Sequence, residues 1–305
     1  MLDTDLLRRE LAALHEKLDR VTAALERFEA HRKNDAKWKS IFRKQVASLI
    51  RAQYLGSDLA APHAIEARRF KLRSQNEEDG IVLALLQATG VTDRRFVEIG
   101  SGGSGGNSGV LAYELGWSGL MVDASGAAAR DAAALFAAKP LVQIARKMVT
   151  PETIDRLLSK TGFFGEVDFL SIDIDSFDYW LLDALTVTTS RVLVMEYNAS
   201  FGPEHPVTLP NAPKVKGMPK AYYGASLAAL EKCARRKGYR LVLCEDAGVN
   251  AFFVRHDLAP GVPTLTPAQA WRPRSNRWDP SGETPPDATD LFKLFEEKGL
   301  PLVEV

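Results

Sequence analysis

"FVEIGSGGSGGNSGV", running from Phe96 to Val110, contains one unbroken G-x-G-x-x-G at Gly100, Gly102 and Gly105. Alone, this spacing is the fingerprint of a dinucleotide turn, in which a strand leads through glycines to a helix whose N-terminus faces a phosphate. Glu98, however, stands two residues before the first glycine, where such strands are usually apolar. The ligand of the loop therefore has to be decided by what surrounds it.

Upstream, "SQNEEDG" places Ser74 three residues before Glu77, a capping-box spacing, and Ile81, Val82, Leu85 and Leu86 continue it as a helix. Strand and helix patterns then alternate. Strands are expected at Arg95–Ile99, Leu120–Asp123, Leu141–Ala145, Val167–Ile174 and Val192–Tyr197, with helices at Ser108–Leu115, Ala127–Ala138, Pro151–Lys160 and Tyr179–Leu185 between them. Strict alternation means a parallel sheet covered on both faces. After a helix at Ala225–Lys237, the strand patterns "YRLVLCE" and "NAFFVRH" are separated only by "DAGV". That link is too short for a parallel crossover and closes an antiparallel hairpin. The expected fold class is α/β, and the plan resembles the Rossmann-like seven-stranded sheet of class I S-adenosylmethionine (SAM) methyltransferases.

That resemblance changes what the loop implies. SAM carries a carboxylate, an amine and a sulfonium but no phosphate, so an acid near the turn is an advantage. The run Glu98, Gly100, Gly102 resembles the acid-x-G-x-G motif of these enzymes, and it implies that Glu98 meets the methionine amine directly or through water. Gly100, Gly102 and Asn107 would border the cofactor, Asp123 at the end of the second strand would take the ribose hydroxyls, and Asp173 would complete the cofactor contacts. Asp123 suits a nicotinamide dinucleotide equally well, and an NAD-dependent oxidoreductase remains the alternative enzyme.

Chemistry in an open α/β sheet sits beyond the carboxyl ends of the strands. There the chain has "SIDIDSFDYW" and "MEYNASFGP". Asp173 and Asp175 lie two apart and share a face if the strand persists, and Glu196 and Asn198 repeat the spacing on the next strand. Four oxygen-bearing side chains suit a hard divalent cation, Mg2+ or another, which would lower the cost of deprotonating an alcohol. Capping of the following helix is the other use for acids here, more for Asp178 than for Asp175. The D-x-D resembles that of macrocin-type metal-dependent sugar O-methyltransferases, which implies Asp173 as metal ligand, Asp175 as base, and Glu196 with Asn198 as further ligands. Those enzymes tend to have adjacent acids where this chain has Glu-Tyr-Asn. As a set, "SQNEEDG", "VEIGSG", "SIDIDSFDYW", "EYNASFGP", "YYGASLAALEK" and "GVNAFFVR" resemble a bacterial FkbM-like group of methyltransferases associated with surface-polysaccharide synthesis. Their implication is methyl transfer to a carbohydrate hydroxyl, the acceptor being a glycan or nucleotide sugar. The motif of amino-methylating enzymes, [DN]-P-P-[YFW], is absent; Asp173 to Ser176 reads D-I-D-S.

An insertion from Phe201 to Tyr223 carries His205, an alternative base, and Tyr222 and Tyr223, which stack on a sugar or close the core. At the N-terminus, Leu7, Leu11, Leu14, Leu18, Val21, Leu25 and Phe28 form a heptad seam, expected to be a coiled-coil helix over 1–33 that joins copies into a homo-oligomer through residues 7–28. A basic helical linker follows over 34–73. Its charge, spread over 32–73, fits weak contact with an anionic surface or a solvated helix face. The methyltransferase domain is assigned to 74–258 and a tail packed on the core to 259–305. A non-catalytic scaffold acting through the coiled coil is a further alternative. The chain of 305 residues has 39 basic and 39 acidic side chains, so net charge selects no partner. No apolar run approaches the roughly 20 residues of a membrane span, and without a signal-peptide core a cytoplasmic location is expected. The two cysteines, Cys233 and Cys244, fall in apolar patterns and are expected as buried thiols.

Overall fold

The computed structural model describes residues 65–212, 219, 221–274 and 288–305. The coiled-coil assignment and most of the basic linker lie outside these residues. Seven strands form one sheet in the order β3-β2-β1-β4-β5-β8-β7. They are β1 (Arg95–Ile99), β2 (Ser118–Asp123), β3 (Val142–Arg146), β4 (Gly165–Ile172), β5 (Thr188–Glu196), β7 (Tyr239–Cys244) and β8 (Asn250–Arg255). The first five run parallel, and β8 is antiparallel to both β5 and β7. This is the Rossmann-like seven-stranded methyltransferase sheet expected from the sequence, hairpin included.

The helices are α1 (Glu78–Thr89), α2 (Gly109–Tyr113), α3 (Gly126–Leu135), α4 (Ile154–Thr161), α5 (Asp178–Ala184), α6 (Leu227–Arg236), α7 (Pro267–Ala270) and α8 (Ala288–Glu297). Val97, Ile99, Leu170, Ile172, Leu193 and Met195 of the sheet pack with Leu157, Leu158, Leu181, Leu182, Leu227 and Leu230 of α4, α5 and α6 in one core cluster. The alternating residues Phe96 and Glu98 therefore point to the other face. Both are fully buried, as are Cys233 and Cys244, the two free thiols.

Two local devices differ from expectation. Ser74 does not pair with Glu77: its hydroxyl accepts from Asp79 N (3.2 Å), while Asp79 Oδ2 accepts from the backbone of Leu72, Arg73 and Ser74. The reciprocal bonding is between Ser74 and Asp79, five residues on, and α1 has no side-chain cap at Glu77. Second, the C-terminal segment forms a small sheet with the insertion. There β6 (Val207–Thr208) pairs antiparallel with β9 (Val303–Glu304), and Phe201, Leu209, Tyr222, Leu291 and Phe295 bury one another. The folded unit also reaches back before residue 74, since Arg68 donates to Gln87 and Arg69 pairs with Asp246.

Candidate active site

The glycine loop joins β1 to α2 directly above the sheet. Gly100 has φ +95°, and a Cβ there would stand 1.5 Å from the Asp173 carbonyl oxygen, so the loop lies flat on the end of β4. Gly106 has φ +56°, and a Cβ would stand 2.3 Å from Glu98 Oε1. Only glycine meets both demands. Glu98 beneath it accepts from Asn107 N (3.2 Å) and Ser108 N (2.8 Å), the backbone donors at the start of the helical turn. Burial pushes this carboxyl up to about 7, against the pull of the Ser108 and Ser171 hydroxyls and the two amides. The direct contact with a ligand amine expected of Glu98 gives way to this internal role, since it is fully buried and its oxygens are occupied by the loop. Asn107 reaches Ser171 Oγ through Nδ2 (3.1 Å). Asp123 holds the neighbouring turn, accepting from Gly102 N (2.9 Å) and Ser125 N (2.7 Å).

A cavity of about 370 Å³ opens beside the loop, lined by loop residues between Gly100 and Asn107, by Asp173, by Asn250, and by Arg73, Ser74 and Gln75. Asp173 sits one residue beyond β4. Burial raises its proton affinity well above the ordinary carboxylate range, and the charges of Glu196, Asp178, Asp175 and Glu98 raise it further. The strand does not persist to Asp175, so the shared-face expectation fails. The chain turns instead, Asp175 adopts φ +56°, and Asp178 pins the turn by accepting from Ile174 N (2.7 Å) and Ser176 N (3.0 Å). Asp178 thus ties down the turn ahead of α5 rather than capping the helix, which has no side-chain cap, and burial pushes its carboxyl up to about 6.

The expected ligand set of Asp173, Glu196 and Asn198 does not come together as a cation site. Glu196 Oε1 is paired with Arg274 Nη1 at 3.0 Å, both side chains being 4% exposed. A guanidinium thus takes the Glu196 oxygen that a cation would have to share. Asn198 is consumed by the chain: Nδ2 donates to the carbonyls of Ala221 (2.8 Å) and Tyr223 (3.0 Å), and Oδ1 accepts from Ser200 N (3.1 Å). Among the described residues no three His, Cys, Asp or Glu side chains converge on a common point. His205 is exposed and packs edge-on to Phe292 at 4.9 Å rather than lining the cavity, so the structure does not support it as a base. Tyr222 and Tyr223 are buried and close the core; the Tyr223 hydroxyl meets Arg274.

Three site residues escaped the sequence reading. Arg274, from a segment 78 residues beyond Glu196, leaves no local signal. Arg73 is the last residue of the basic segment and has no signal of its own, and Asn250 is one residue within "GVNAFFVR". The order of strands, which brings the start of β8 to the ends of β4 and β5, is what reveals Asn250.

No protein-family model and no curated protein matches the chain. Solved structures do resemble it in outline. The O-methyltransferase from Bacillus cereus in complex with S-adenosylhomocysteine (SAH) is 14% identical, with the match covering 76% of this chain and 97% of that one at a TM-score of 0.38. The N-terminal domain of EvdMO1 with SAH bound is 16% identical over 70% and 94% of the two chains, TM-score 0.38. A SAM-dependent methyltransferase from Aquifex aeolicus is 13% identical over 63% and 95%, TM-score 0.37. At such identities the likeness concerns the fold alone, and the chemistry has to rest on the site.

Proposed function

We propose that this chain is a SAM-dependent O-methyltransferase acting on a carbohydrate hydroxyl. The observation that carries this reading is the acid that Asp173 places in the cavity lining. Asp173 faces the cavity, with Glu196, Asp178, Asp175 and Glu98 all near enough to raise its proton affinity. A carboxyl crowded by other acids gains from a cation beside it, which draws it toward its ionised form, and loses from an anion. It therefore supports a sulfonium cofactor over the dinucleotide pyrophosphate that the bare G-x-G-x-x-G spells. When bound, SAM supplies an electrophilic methyl group on a positively charged sulfur.

The protein's own residues divide the remaining work. Gly100 and Gly106 let the loop lie against the Asp173 carbonyl and over Glu98, which sets one wall of the cavity. Asp123, fixed by two amides, keeps lone pairs for ribose hydroxyls. Asp173 offers its carboxyl toward the positive end of the cofactor. Asp175, held two residues further on in a left-handed conformation that side chains seldom adopt, is assigned as the proton acceptor for the attacking hydroxyl. The carbohydrate acceptor is supported by the resemblance of "SIDIDSFDYW" to sugar O-methyltransferases. In-line methyl transfer asks chiefly for positioning, which strand-end residues on a rigid sheet provide.

Transfer from methyl-tritiated SAM to a panel of methyl glycosides tests this assignment. Label is expected in sugar, and Asp175→Asn is expected to lower transfer about 100-fold or more while SAM affinity stays within about twofold. Transfer by Asp175→Asn at the wild-type rate would remove Asp175 as the base. SAM binding without label in any glycoside would remove the carbohydrate acceptor.

A further inference from the structure

Asn250 opens β8 opposite Glu196 and is 2% exposed. Its backbone N–H donates to Glu245 Oε1 (3.0 Å), and its side-chain Nδ2 donates to Glu78 Oε1 (3.1 Å). Glu78, fully buried at the start of α1, also accepts from Asn76 N (2.6 Å) and Asn76 Nδ2 (3.1 Å). A carboxylate that only accepts must face the nitrogen of the Asn250 amide, which turns Oδ1 the other way. That oxygen is buried and finds no donor among the described residues. Native structures seldom leave a buried acceptor unmatched, and Asn250 lines the cavity beside the glycine loop.

Two charged groups share that cavity. Arg73 is held rigidly, with Nε and Nη2 donating to Glu114 Oε1 (2.9 and 2.7 Å) and its guanidinium stacked 3.8 Å from the centre of the Tyr113 ring. Asp173 is the carboxyl on the β4 side. A cation, a carboxyl and a lone amide oxygen around one small space complement a zwitterion, and they fit an α-amino acid group better than an isolated hydroxyl.

We propose that Asn250, oriented by Glu78, is a cofactor-binding residue: its Oδ1 accepts a hydrogen bond from the α-ammonium of SAM's methionine end, with Arg73 facing the α-carboxylate. This rests on the SAM reading and assigns which residues recognise the amino-acid end of the cofactor. It also gives "SQNEEDG" and "GVNAFFVR", 172 residues apart at the Glu78–Asn250 contact, one shared purpose.

Calorimetric titration of the full chain with SAH and with S-adenosyl-4-thiobutyrate, which lacks only the amine, tests it. The wild type is expected to bind SAH about tenfold more tightly than the desamino compound. Asn250→Ala is expected to lose about tenfold for SAH and to hold the desamino compound within about twofold. Equal wild-type affinity for the two compounds overturns the inference without any variant having to fold. An equal loss of both compounds in Asn250→Ala overturns it too, as does unchanged SAH binding with lost methyl transfer, which would place the oxygen against the acceptor. A wild type that binds neither SAH nor SAM defeats the cofactor reading itself.

Discussion

At the scale of single residues, Glu98 shows how one acid serves two readings. Its place before the glycines suggested a ligand contact, and the structure gives it the loop's own amides from Asn107 and Ser108. The letters are the same in both cases; only the direction of the side chain decides. A pH signature follows. The ordinary value of 4.5 rises to about 7 in the folded chain, so the folded state holds its proton more tightly than the unfolded one. Stability from this group is fully present below pH 4.5 and is lost as pH rises toward 7. The whole swing amounts to about 3 kcal/mol. Glu98→Gln, which does not titrate, is expected to flatten urea-derived stability against pH by one proton's slope across that window. An unchanged slope would mean that Glu98 is not held protonated by burial. The pairing of Glu196 with Arg274 shows the opposite limit, since no pattern near Glu196 announces a partner so far along the chain.

At the scale of elements, the alternation of helix and strand was readable because period-2 and period-3.6 patterns are local properties of the chain. The hairpin of β7 and β8 was readable because a short link permits no other connection. The end of β4 was not. "SIDID" alternates as a strand does, yet Asp178 captures Ile174 N and Ser176 N and turns the chain after Ile172. The β6–β9 pair was equally hidden, with two residues on each side and residues 209–302 between them. The satellite core it closes makes its own prediction. Phe295 in α8 is 1% exposed and meets Tyr222 edge-on at 5.1 Å and Phe201 at 6.2 Å. Phe295→Ala is expected to cost about 3–5 kcal/mol in urea unfolding. A loss below about 1 kcal/mol would show that this cluster is not coupled to the cooperative unit.

At the scale of the whole molecule, the fold sets a glycine loop, Asp173 just past β4, Arg73 ahead of α1 and the start of β8 around one cavity. Among the described residues no helix is long and apolar enough to cross a membrane. The central claim is that this cavity selects a cationic sulfur cofactor over an anionic dinucleotide. Calorimetry of the full chain with SAM, SAH and NAD tests it most directly. Binding of SAM and SAH with NAD at least about 100-fold weaker, a gap of about 2.7 kcal/mol, is the predicted result. Tight NAD binding with no heat from either sulfur compound would contradict the account.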